Sequence, residues 1–249
     1  MSAEIPHGSL VTGGAHGIGL AISRALAARG DTVVIADLDG SEATAQAELL
    51  RAVGHEARAV DLDVTDVEQV RATVAAVDLE TPLGTVVCNA GIAFLTPVAE
   101  VETEDYDRLM AVNVRGLFFT MQAALRAMLP RHAGNVVNVC STSGFTASSG
   151  PMVVYDASKA AVRMFTQAAA REVAQRGVRV NAIAPGTVET DLMRELATPG
   201  DLERLAVERI PLRRLGRPDE IAAAVAFLSS GDASYITGHV LVADGGWLA

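Results

Sequence analysis

Short apolar runs alternate with longer helical patterns along nearly the whole chain, and this rhythm constrains the fold more than any other feature of the sequence. The runs at 9–12, 32–36, 57–62, 85–88, 135–140, 179–183 and 240–242 are dominated by continuous valine-rich stretches, not by polar/apolar alternation. Strands read this way when both faces are buried, as in a parallel sheet. Helical patterns at 17–28, 41–53, 66–77, 104–128, 155–176 and 219–228 separate them. The βαβαβ order predicts a doubly wound α/β fold: a parallel sheet of about seven strands with helices on both faces. The 249 residues suit one domain, 1–249, with no linker or repeat. The one long irregular region, 187–218, follows a strand and is expected to be a substrate-binding loop that closes as a mobile lid.

Charge and composition exclude several functions. A formal net charge of −10 opposes binding to nucleic-acid phosphates. No run approaches the roughly 18 apolar residues of a membrane span, and the first ten residues lack a signal-peptide pattern, so a cytoplasmic protein is expected. Cys88 and Cys140 end apolar runs and read as small buried side chains rather than a disulfide framework. None of the five histidines has metal-ligand spacing, and no metal is expected. Asp61, Asp63 and Asp66 lack the glycine and terminal glutamate of a calcium loop; they read as a strand end followed by a helix N-terminus.

Thr12-Gly13-Gly14-Ala15-His16-Gly17-Ile18-Gly19 follows the first strand and opens a helix. Glycines there permit the turn and let a pyrophosphate approach backbone N–H groups at a positive helix end. The second strand leads to Asp37-Leu38, and Asp37 stands 18 residues past Gly19, where a carboxylate would accept both hydroxyls of an adenosine ribose. It would repel a 2′-phosphate, so the expected cofactor is NAD rather than NADP. Tyr155 and Lys159, four apart, share a helix face. An ammonium beside a phenol favours the phenolate, which would let tyrosine act as a base near neutral pH.

Taken together, the chain resembles the short-chain dehydrogenase/reductase family in its single-domain, 250-residue Rossmann-fold form. Thr12 to Gly19 is similar to that family's TGxxxGIG loop, including Gly13, His16, Gly17, Ile18 and Gly19. Asp63-Val64 matches its adenine-side Asp, and Cys88-Asn89-Ala90-Gly91 resembles its NNAG motif. Asn113 matches its helix asparagine, Ser141 its serine three residues before Gly144, and Tyr155-Asp156-Ala157-Ser158-Lys159 its YxxxK. Pro185-Gly186-Thr187-Val188-Glu189-Thr190 resembles its PG-x-x-x-T segment. Cys88 replaces a usual Asn, Cys140 a common Ser, and the interval from Ser141 to Tyr155 is one residue longer than in many relatives. Ser143 is therefore a rival for the serine role, and if the segment is extended both serines face the same side.

The resemblance implies roles. Tyr155 is the general acid/base on the substrate oxygen, and Ser141 hydrogen-bonds the same oxygen. Lys159 lowers the Tyr155 pKa and holds the nicotinamide ribose; Asn113 helps hold a water that links Lys159 to solvent. Val188 and Thr190 would contact the carboxamide and pyrophosphate. Phe94, Thr96, Ser143, Phe145, Met152, Met193 and Trp247 are candidate pocket residues, mostly apolar, which favours a small or medium apolar secondary alcohol or ketone. The 243–247 end resembles a segment that packs between subunits, so a homotetramer is expected. The rival readings are a 3-oxoacyl thioester reductase, a non-catalytic NAD-binding regulatory protein on the same fold, and an epimerase or dehydratase of the extended family, for whose substrate domain the chain has no room.

Overall fold

A computed structural model describes residues 5–249. The apolar runs form β1 (Gly8–Thr12), β2 (Thr32–Asp37), β3 (Ala57–Asp61), β4 (Leu83–Cys88), β5 (Gly134–Val139), β6 (Val178–Pro185) and β7 (Val240–Ala243). They make one seven-stranded sheet in the order β3-β2-β1-β4-β5-β6-β7, every neighbouring pair parallel. The helices are α1 (Gly17–Ala28), α2 (Gly40–Ala52), α3 (Val67–Glu80), α4 (Thr103–Met110), α5 (Leu117–Met128), α6 (Val153–Val173), α7 (Asp191–Leu196), α8 (Pro199–Arg209) and α9 (Pro218–Ser229).

Both sheet faces are covered, which is why the strands lack polar alternation. Leu10 and Val34 belong to one core with Val70 and Val74 of α3, Met121 of α5 and Val162 of α6. Their strand neighbours Val11, Val33 and Ile35 belong to the other, with Ile22 and Leu26 of α1, Ala47 of α2 and Val225 of α9. Each such valine, leucine, isoleucine or methionine contributes about 2 kcal/mol by leaving water. The strand order reverses between β1 and β4, so the loops after these strands part and leave a crevice at the carboxyl edge. Asp66 caps α3, accepting from the backbone N–H groups of Glu68 and Gln69, so the acidic cluster is a strand end and helix start. Both cysteines are free and buried. No described helix is long and apolar enough to cross a membrane.

Two expectations are corrected. The single helix over 104–128 is interrupted by a π-helical turn, Ala111–Gly116. The cause is tertiary: Asn113, fully buried, bonds both backbone groups of Ile92, and Gly116 sits where a Cβ would meet the Val64 carbonyl oxygen at 2.8 Å. The region 187–218 is not irregular; it holds α7 and α8, capped by the Thr190 and Thr198 hydroxyls. These helices escape a periodicity reading because α7 buries no residue and α8 buries only Leu202 and Ala206.

Candidate active site

The turn after β1 holds Gly13 and Gly17 at positive φ (+60° and +49°), and a Cβ on Gly19 would lie 1.9 Å from the Gly13 carbonyl oxygen. Only glycine lets α1 start this close to the loop. No side chain caps α1, and its first turn carries no acidic residue, whereas Asp39 and Asp66 cap α2 and α3. The first-turn N–H groups of α1 are thus left to an anion, which fits the pyrophosphate of a dinucleotide. Thr12 ties the floor together: its hydroxyl accepts from the N–H groups of Asn89 (3.1 Å) and Ala90 (3.2 Å). The Asn89 amide donates to the carbonyls of Thr12 (3.1 Å) and Gly13 (2.8 Å). At the end of β2, Asp37 accepts from the N–H of Ala15 at 2.9 Å and of Asp39 at 3.1 Å, one on each oxygen. Each oxygen keeps a lone pair, which suits a vicinal diol.

On the other side of the crevice, α6 starts at Val153, so Tyr155 lies in its first turn and Lys159 one turn later. The Lys159 ammonium donates to the Val139 carbonyl at 3.0 Å and lies 5.5 Å from the Tyr155 ring centroid. The Ser141 side chain neighbours the Tyr155 hydroxyl and favours its ionised form, and both residues face the same cleft. Asn113 accepts from Ile92 N–H (2.8 Å) and donates to the Ile92 carbonyl (2.8 Å) and the Ser158 hydroxyl (3.2 Å). Both its amide hydrogens are therefore used in holding the segment after β4 against α6.

Burial pushes the Tyr155 phenol up to about 12, and the neighbouring Ser141 side chain only partly opposes it. Burial likewise pushes the Lys159 ammonium down to about 8. Desolvation is the largest influence on the phenol in the protein alone, and Lys159 is not among the groups that move it there.

A cleft of about 410 Å³ collects the dispersed motifs. Gly13, His16, Gly17, Ile18, Gly19, Asp37, Leu38, Asp63 and Val64, from the carboxyl ends of β1, β2 and β3, line one part of it. Asn89, Ala90, Gly91, Ser141, Tyr155, Lys159, Pro185, Gly186, Val188, Thr190 and Met193 line the remainder. Of the side chains expected at the substrate end, only Met193 is in this lining; Phe94, Thr96, Ser143, Phe145, Met152 and Trp247 lie outside it. Phe145 packs under the Arg163 guanidinium, 4.5 Å from its ring centroid. Leu62, Ile92, Val112, Val139, Cys140, Asp191 and Leu192 also line the cleft but carry no motif of their own. Most flank a motif residue, which is the one signal that could have found them.

The two serines separate in three dimensions. The segment is a 3₁₀ turn, Thr142–Gly144, with Ser141 as its N-cap, so the extended-chain premise that put both on one side does not hold. Ser141 faces Tyr155, whereas Ser143 bonds Ser148 at 2.9 Å. Ser141→Ala is expected to lower kcat about a hundredfold, as for loss of an oxyanion donor, and Ser143→Ala by no more than about tenfold. Side-by-side kinetics on folded variants check the ranking, and the reverse order rejects it.

The chain is similar to known proteins over nearly its whole length. The family profile described as enoyl-(acyl carrier protein) reductase matches residues 13–248. A galactitol 2-dehydrogenase (L-tagatose-forming) of Cereibacter sphaeroides is 41% identical over 239 residues, covering 95% of this chain and 93% of its own. A 3-oxoacyl-[acyl-carrier-protein] reductase of Vibrio harveyi is 39% identical over 240 residues, 96% of each chain. The crystal structure of a gluconate 5-dehydrogenase from Burkholderia cenocepacia, in complex with NADP and tartrate, superposes with a TM-score of 0.92 at 34% identity, covering 97% of this chain and 94% of that one.

Proposed function

The chain belongs to the short-chain dehydrogenase/reductase family, and from that premise we propose that it is an NAD-preferring oxidoreductase using Tyr155, Ser141 and Lys159 on a small or medium secondary alcohol or its ketone. The oxidoreductase class acting on CH–OH groups follows from membership and from its relatives. The observation that carries the site reading is the convergence of Tyr155, Ser141, the buried Lys159 and the uncapped α1 N-terminus on one cleft.

A nicotinamide held by the α1 N-terminus and Lys159 would supply the hydride chemistry and, when oxidised, a positive charge favouring a phenolate. The protein's part is positional and protonic. Tyr155 takes the alcohol proton, or returns it to the carbonyl oxygen, while Ser141 donates a hydrogen bond to that oxygen as charge develops there. Lys159 has spent one N–H on Val139 and keeps two donors for ribose hydroxyls and for the field on Tyr155. Asn113 is a positioning residue, holding the Ile92 segment beside Lys159.

Asp37 supports NAD. No arginine lines the cleft, and its acidic groups at the adenosine end are Asp37 and Asp63. A 2′-phosphate would meet a carboxylate there with no cation to pair it. NAD(H) is expected to be preferred at least roughly tenfold in kcat/KM, about 1.4 kcal/mol, and Asp37→Ser to narrow the gap. The test is an alcohol and ketone screen with NAD(H) and NADP(H), read at the nicotinamide absorbance. It should include galactitol, cyclopentanol and a 3-oxoacyl thioester. A wild type that prefers NADPH sinks the Asp37 assignment; one active only on the thioester supports the second reading, which the 39% identical Vibrio harveyi reductase favours.

Helices α7 and α8 are the cover of this cleft in the same reading. α7 buries no residue, and its ion pairs, Arg194 with Asp191 and Glu189, are exposed, so little resists its opening. Amides of 191–196 should exchange with deuterium faster than those of α6 and slow when NAD and a substrate analogue are added. Equal, unchanging protection would make the pair a fixed scaffold.

A further inference from the structure

Outside the cleft, four polar groups form a chain that ends on the serine beside Tyr155. Asp156 accepts from the Ser148 backbone N–H at 2.9 Å on one oxygen and from the Ser148 hydroxyl at 2.6 Å on the other. The Ser148 and Ser143 hydroxyls are 2.9 Å apart. The Ser143 N–H donates to the Ser141 hydroxyl oxygen at 3.1 Å.

The proton inventory fixes every direction in this chain. A carboxylate only accepts, and a serine hydroxyl has one proton. The Ser148 proton is given to Asp156, so the contact between the two hydroxyls is Ser143 donating to Ser148. Ser143 is then held at both ends, its hydroxyl by Ser148 and its N–H by Ser141. The Ser141 oxygen receives that N–H, and its own proton stays free for an oxygen in front of it. Asp156 directly follows Tyr155 on α6, so the helix that places the phenol also anchors the loop that places its serine partner.

We propose that Asp156, acting through Ser148 and Ser143, is a positioning residue for the reaction: it locks the 143–148 turn so that the Ser141 proton points at the reacting oxygen. The proposal rests on the assignment of Ser141 and Tyr155 made above. It explains why a charged residue sits inside the Tyr-x-x-x-Lys spacing although it does not line the cleft. Bidentate capture of Ser148 by one carboxylate is stronger and more directional than a neutral contact, which suits a loop whose neighbours Phe145 and Ser149 are exposed.

Ser148→Ala removes the middle of the chain from a half-exposed position. Its kcat on whichever of cyclopentanol or galactitol the wild type oxidises should fall about tenfold, the scale of a small misplacement of a reacting group. NAD affinity and thermal midpoint should stay at wild-type values. Ser148→Thr, which keeps the hydroxyl, should recover most of the rate. Asp156→Ala cuts the chain from its other end and should show the same split, which covers the case of one variant failing to fold. Unchanged kcat in both, or a kcat loss matched by losses of midpoint and NAD affinity, overturns the proposal. If the wild type oxidises neither alcohol, those two substrates fall separately from the positioning role. The crystal structure of Ser148→Ala then decides: Ser141 is expected to shift relative to the Tyr155 hydroxyl and lose the Ser143 N–H, and an unmoved Ser141 overturns the positioning role.

Discussion

Tyr155→Phe is expected to lose at least about a hundredfold in kcat, the low end for general acid–base catalysis, while binding NAD as the wild type does. Phenylalanine keeps the ring that fills the start of α6 and removes only the hydroxyl that Ser141 contacts. The affinity for NAD should survive because the phosphate loop, Asp37 and Lys159 are untouched. Folding should survive too, since the neighbouring Ser141 hydroxyl still accepts the Ser143 N–H. Activity near that of the wild type in Tyr155→Phe would show that the acid/base is another group, and a parallel loss of NAD affinity would show a binding role instead.

Lys159→Met is expected to move activity and stability in opposite directions. Activity should fall by at least about a hundredfold, because the phenol loses the cation that favours its ionised form. Stability should rise. Burial holds the Lys159 ammonium near about 8 in the folded protein against 10.5 for the free side chain. Between those pH values the unfolded chain binds more protons, so wild-type stability increases with pH across the window. Below it, the folded state bears the whole cost of the buried charge, about 3 kcal/mol. Methionine removes that cost and gives up the bond to Val139, worth about 1 kcal/mol. A net gain of about 2 kcal/mol is roughly 5 °C in thermal midpoint for a chain of this size. The advantage should be full at pH 7 and shrink as pH rises past 8. Thermal melts of both proteins from pH 6 to about 10 check it; a less stable variant throughout would mean that Lys159 stabilises the fold. The Tyr155 shift has the other sign, since its folded value is pushed up from 10.0 to about 12, and it enters only above that range.

Continuous apolar runs and caps of the ordinary kind made the sheet, its strands and most helices readable from sequence, because these depend on side-chain period and local hydrogen bonding. The cofactor loop was readable for the same reason: glycine spacing states a backbone requirement that the Gly13 and Gly19 geometry then displays. Long-range partners were not readable. The π turn at Asn113 depends on Ile92 and Ser158, 21 and 45 residues away. The distinction between Ser141 and Ser143 depends on a 3₁₀ turn and on Ser148. The sign of the Tyr155 shift needed the depth of the cleft, which no spacing rule contains. Helices α7 and α8 were missed because their caps, Thr190 and Thr198, introduce few buried residues.

The central claim is that this cleft moves a hydride between a carbinol carbon and a nicotinamide under the control of Tyr155. The most direct measurement follows the hydride itself. A secondary alcohol turned over by the wild type is deuterated at its carbinol carbon, incubated with NAD and the protein, and the reduced cofactor is examined by mass spectrometry and proton NMR. The account predicts one deuterium at C4 of the nicotinamide, on a single face, with formation slowed at least about a hundredfold in Tyr155→Phe. Deuterium released to solvent, or NADH formed at the same rate without Tyr155, would contradict it.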